Sequence, residues 1–63
     1  MRYLLENKQK GTQFEFIIYD DLVTIVKMEK DEEPLISPKT KEEARKDWHI
    51  LVSECGYERV LSV

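Results

Sequence analysis

The segment Thr40-Lys41-Glu42-Glu43 constrains this chain more than any other, because it reads as a helix start whose stop signal, Gly56, lies one helix-length downstream. A threonine at the N-cap accepts a hydrogen bond from the amide three residues on, and a glutamate at that third position reaches back to the threonine amide. Glycine supplies the left-handed residue that ends a helix without a Cβ penalty. The spacing predicts a helix from Lys41 to about Cys55. On a 3.6-residue period Ala44, Trp48, Leu51, Val52 and Cys55 form one apolar band, suited to covering a sheet. Ile50 sits about 120° from the middle of that band, so one flat sheet does not bury both; the expectation is that Ile50 meets solvent or another chain.

Upstream the period changes from 3.6 to 2. Arg2 to Glu6 reads as a first strand, with Tyr3 and Leu5 on one face and Leu4 on the other. Asn7-Lys8-Gln9-Lys10-Gly11 follows as a polar turn. Thr12 to Tyr19 alternates Phe14, Phe16 and Ile18 against Gln13, Glu15, Ile17 and Tyr19. Asp20-Asp21 is a tight turn, so Leu22 to Met28 folds back as a third, antiparallel strand. Glu29 to Pro34 is a charged connection, and Leu35-Ile36 adds a short extended piece before Ser37-Pro38, where proline disfavours helix at Ser37. Tyr57 to Val63 reads as an ordered apolar return along the sheet or helix, with a fourth short strand as one form of it. The fold class expected is α+β: one domain over residues 1–63, an antiparallel three-stranded β-meander followed by one amphipathic helix packed on the sheet, and a short C-terminal extended segment.

Size matters for what this fold does next. A domain of 63 residues buries only roughly 60% of the surface its unfolded chain exposes. The apolar share of 41%, with 10% aromatic, is enough for one small core and too rich in rings for a disordered chain. With a single cysteine, Cys55, and a single histidine, His49, neither an internal disulfide nor a Cys/His zinc site can be built within the chain, which leaves association as the supplement to the core. One helix covers one sheet face. The other, with Ile17 and Tyr19 opposite the phenylalanines, needs a cover from a second subunit, a partner or the C-terminal segment.

The chemistry-bearing residues do not converge. His49 and Cys55 point to different sides of the helix, which argues against a nucleophile and base pair. Asp20-Asp21 and Asp31-Glu32-Glu33 lie in turns, where carboxylates are ordinary turn formers. Gly11 and Gly56 stand alone, so no phosphate loop forms from them. No catalytic, cofactor-binding or metal-ligating residue is assigned, no cofactor or small-molecule ligand is implied, and the expectation is that the chain is not an enzyme. Lys39, Lys41, Arg45 and Lys46 gather at the helix start, and Tyr3, Phe14, Phe16 and Tyr19 are rings of the kind that single-strand binders display. A net charge of -3 and acidic residues threaded through the same helix turns oppose a phosphate-binding stripe. Nothing approaches the roughly 20 apolar residues of a spanning helix, no secretion signal is visible, and a cytoplasmic location with no membrane partner is expected.

The run Thr40-Lys41-Glu42-Glu43-Ala44-Arg45-Lys46-Asp47-Trp48, continued by Leu51 and by Gly56-Tyr57-Glu58-Arg59-Val60, resembles the closing segment of small uncharacterised bacterial proteins of the cyanobacterial type, over about a third of the chain. The order of sheet then helix is also similar to the WGR domain, whose tryptophan-glycine-arginine strand motif is absent here. Neither resemblance carries a functional residue over. The function expected is a non-catalytic protein-interaction or regulatory module, self-associating as a homodimer or bound to a protein partner, with Ile50, Ile17, Tyr19 and Arg45 as candidate contacts. The alternative is a small nucleic-acid-binding module using the sheet aromatics and the basic helix start.

Overall fold

Every strand neighbour in this chain is antiparallel. The computed structural model describes residues 1–60 and runs β1 (Arg2–Asn7), β2 (Thr12–Tyr19), β3 (Leu22–Glu29), β4 (Leu35–Thr40), α1 (Lys41–Ser53), β5 (Glu58–Val60). The five strands form one sheet in the order β4-β3-β2-β1-β5. Its centre is the meander expected from the alternation. Tyr3 lies opposite Phe16 and Leu5 opposite Phe14, while Phe16 faces Ile25 and Ile18 faces Val23. Asp20, with φ 55°, turns the chain between Tyr19 and Leu22, and Gly11, with φ 67°, donates its amide to the Asn7 carbonyl at 2.9 Å to close the first turn.

The meander has five strands in its sheet, not three. Leu35–Thr40 pairs with β3 from Leu22 to Lys27, so the extended piece expected at Leu35-Ile36 continues through Ser37 and Pro38. Proline is tolerated there because β4 is an edge, where half of the backbone groups have no strand to bond. Glu58–Val60 pairs with Leu4 to Glu6 at the opposite edge. The expected return thus runs beside the sheet, extending it and leaving the second face uncovered among the described residues; Leu61 to Val63 lie outside them.

The helix begins as its cap requires. Thr40 Oγ1 accepts from the Glu43 amide at 3.2 Å, and a Glu43 carboxylate oxygen accepts from the Thr40 amide at 3.1 Å. It ends earlier than Cys55: the amides of Glu54 and Cys55 both donate to the Ile50 carbonyl, and Gly56 at φ 74° turns the chain away. The helix lies on the Phe14, Phe16 and Ile18 face. Leu5 is fully enclosed, with Phe16, Val23, Ile25, Ala44 and Tyr57 buried around it and Trp48, Leu51 and Cys55 packed against them. Trp48 meets Phe16 and Tyr3 edge-on at 5.1 and 6.0 Å between centroids, and Phe14 meets Tyr57 the same way at 5.3 Å. Val52 departs from the expected band. It is 43% exposed, because the helix rests on the sheet through the Ala44, Trp48, Leu51 line and Val52 rotates off its edge.

Candidate interaction surfaces

Two surfaces stand out, one on each side of the sheet. The first is the face away from the helix. Its central row reads Val60, Leu4, Glu15, Val26 and Ile36 across the five strands. The next row carries Arg2, Ile17, Thr24 and Pro38, and the row beyond it Tyr19, Leu22 and Thr40. Tyr19, Leu22 and Ile36 are 79, 61 and 68% exposed. The alternation that buries Phe14 and Phe16 sends these residues outward by the same two-residue period. Arg2 Nε lies 3.6 Å from a Glu15 carboxylate oxygen, and toward the β1–β2 turn a further row carries Glu58, Glu6, Gln13 and Met28, in which Gln13 donates to Glu6 at 2.8 Å.

The second surface is an open groove of about 540 Å³ on the helix side. Tyr3, Phe16, Ile18 and Val23 form its floor, and the first turns of α1 form a wall through Lys41, Ala44, Arg45 and Trp48. Arg59 of β5 closes the far side, its guanidinium 4.9 Å from the Tyr3 ring centroid. On the other flank of the helix a smaller notch of about 220 Å³ is lined by Phe14, Ile25, Asp47, Ile50 and Leu51.

The four candidate contacts therefore divide. Ile17 and Tyr19 lie on the open sheet face, Arg45 on the groove, and Ile50, 45% exposed, at the notch, so no single flat partner touches all of them. Three of the four rings named for nucleic-acid stacking, Tyr3, Phe14 and Phe16, lie on the helix-covered face and pack against Trp48 or Tyr57. His49 is exposed and Cys55 half-buried. Among the described residues no three His, Cys, Asp or Glu side chains gather as a metal site, and no helix is long and apolar enough to cross a membrane.

Hydrogen bonds, not burial, set the departures in carboxyl acidity. The Glu43 carboxyl is held below its ordinary pKa first by the Thr40 amide and then by the Thr40 hydroxyl. Where β3 ends, hydrogen bonding between the carboxyls of Glu29 and Glu32 lowers Glu29, with help from Lys27, and raises Glu32. Glu32 is exposed and Glu29 half-buried, and neither lines the groove.

Sequence reasoning passed over Asn7 as a turn residue. It is 7% exposed; its Nδ2 donates to the Cys55 carbonyl at 2.9 Å and its Oδ1 accepts from the Lys10 amide at 3.1 Å, tying the first turn to the end of the helix. Arg59 was passed over too, since its place on the groove depends on the pairing of β5 with β1. Comparison of the chain with family models, with curated proteins and with solved structures gives no match in any of the three.

Proposed function

We propose that the chain is a non-catalytic interaction module that self-associates through the sheet face opposite the helix. The observation that carries this reading is the row of Leu4, Val26 and Ile36, flanked by Ile17, Tyr19 and Leu22 and uncovered among the described residues, in a domain whose helix is committed to the other side. A second copy suits the face for two reasons. In the central rows Arg2 and Glu15 neutralise each other, so like faces meet there without net repulsion, while the acidic pair Glu6 and Glu58 lies toward the β1–β2 turn end of the face. The sheet edges are poor alternatives: β4 carries Pro38 and Lys39, and β5 is three residues long, which blunts strand-to-strand addition and favours face-to-face stacking.

Sedimentation velocity at about 10–100 μM, in the range of weak to moderate association, tests the reading. The expected result is a species above the 7.5 kDa monomer that Ile17→Lys and Ile36→Lys each return to monomer, with unchanged far-UV circular dichroism. A wild-type chain that stays monomeric through that range rejects it.

A further inference from the structure

The groove on the helix side carries a charge pattern that the rest of the chain does not. The whole chain bears a net charge of -3, yet the groove presents Lys41, Arg45 and Arg59 around an apolar floor, with no acidic side chain in its lining among the described residues. Helical phase produces the separation. Lys41 and Arg45 are four residues apart and share the wall with Ala44 and Trp48, whereas Glu43 is turned to its cap and Asp47 lines the notch on the opposite flank. Among the described residues the side-chain ion pairs are Arg2 with Glu15 and Lys27 with Glu29, so the three groove cations keep their charge for something outside the fold.

We propose that this groove binds an extended acidic segment of a partner protein, with carboxylates at alternate positions on Lys41 and Arg45 and the apolar side chain between them seated on the Tyr3 side of the groove. The spacing selects an extended segment. Helix residues four apart hold their Cβ atoms about 5–6 Å from each other, and same-side residues of a strand recur about every 6.6–6.8 Å, so neighbouring carboxylates of an alternating segment meet neighbouring cations. The intervening side chain points the other way, toward Tyr3 and Arg59. An apolar floor flanked by cations rejects basic segments and gives an acidic one both desolvated contact and charge complementarity. The self-association face lies on the opposite side of the sheet, so either surface can fail its test while the other passes.

Trp48 is the chain's one tryptophan and stands in the groove wall, which makes its emission the readout. The probe is an acetylated, amidated peptide with glutamate, phenylalanine, glutamate, leucine and glutamate in that order between glycine-serine ends; the control has lysine at each glutamate. The acidic peptide is expected to shift the emission saturably and the lysine peptide to leave it unchanged. Arg45→Glu, at an exposed position, is expected to keep the far-UV spectrum, to weaken the acidic peptide about tenfold and to gain the lysine peptide, since reversal replaces one attraction by one repulsion. Ile17→Lys is expected to leave peptide affinity alone. The proposal is overturned by the absence of a saturable shift, by equal binding of the two peptides, by an unaffected Arg45→Glu variant, or by a labelled single-stranded RNA that binds more tightly than the acidic peptide.

Discussion

Asn7 is the residue whose side chain does the most structural work for its size. Its amide group joins the β1–β2 turn to the helix terminus from a buried position, so Asn7→Ala leaves the Cys55 carbonyl and the Lys10 amide short of partners and should cost about 2 kcal/mol in urea unfolding. Thr40→Ala removes the cap from the Glu43 amide and should cost about 1 kcal/mol with the fold retained. The cap also gives stability a pH dependence whose sign is fixed. Glu43 has a lower pKa folded than unfolded, so its contribution is complete above the unfolded value and disappears as pH falls through the folded one. The loss should begin below about pH 5, the upper edge of ordinary glutamate titration, and Glu43→Gln should flatten that part of the stability profile. Trp48→Ala should cost about 2–3 kcal/mol, less than for a sealed ring, since one side of the indole faces the groove.

At the scale of the element, β5 carries a built-in conflict: Glu58 lies directly opposite Glu6, and like charges across an antiparallel pair repel. Glu58→Lys should raise the urea midpoint by the equivalent of about 0.5 kcal/mol, the reverse of what most substitutions do. How much of each element could be read in advance follows from where its information resides. The helix was legible because Thr40, Glu43, Ala44, Trp48 and Gly56 act within the segment, and β1 to β3 because their alternation is local. β4 was half-read, since Ser37, Pro38 and Lys39 look like a loop and become a strand only through pairing with Val23 to Ile25. The apolar residues after Gly56 allowed a short strand at β5, but its pairing with Leu4, Leu5 and Glu6, more than fifty residues upstream, is reported by no local pattern. The same holds for the groove: Lys41 and Arg45 were visible as a basic cluster, but their separation from Glu43 and Asp47, and the arrival of Arg59 across from them, are products of tertiary packing.

For the molecule as a whole, association and stability should be one quantity seen twice. If two copies bury the open face, the folded state gains free energy by mass action, so the midpoint of thermal unfolding should rise with protein concentration and stop doing so in Ile36→Lys. A midpoint that is independent of concentration over two decades would separate the fold from any partner of its own kind. The junction at Thr40 sets a different limit on this small domain. That residue is the last of β4 and the cap of α1, so strand and helix join without a single intervening residue. One inserted residue after Thr40 would turn the helix by about 100° against the sheet. Ala44 would leave the core, and Lys41 and Arg45 would leave the groove wall, whereas the same insertion beside Glu33 would only lengthen the exposed connection between β3 and β4. Length variation in this chain is therefore expected to be tolerated in the β3–β4 connection and forbidden at one peptide bond, where the phase of the helix, and with it the placement of every charge on it, is decided.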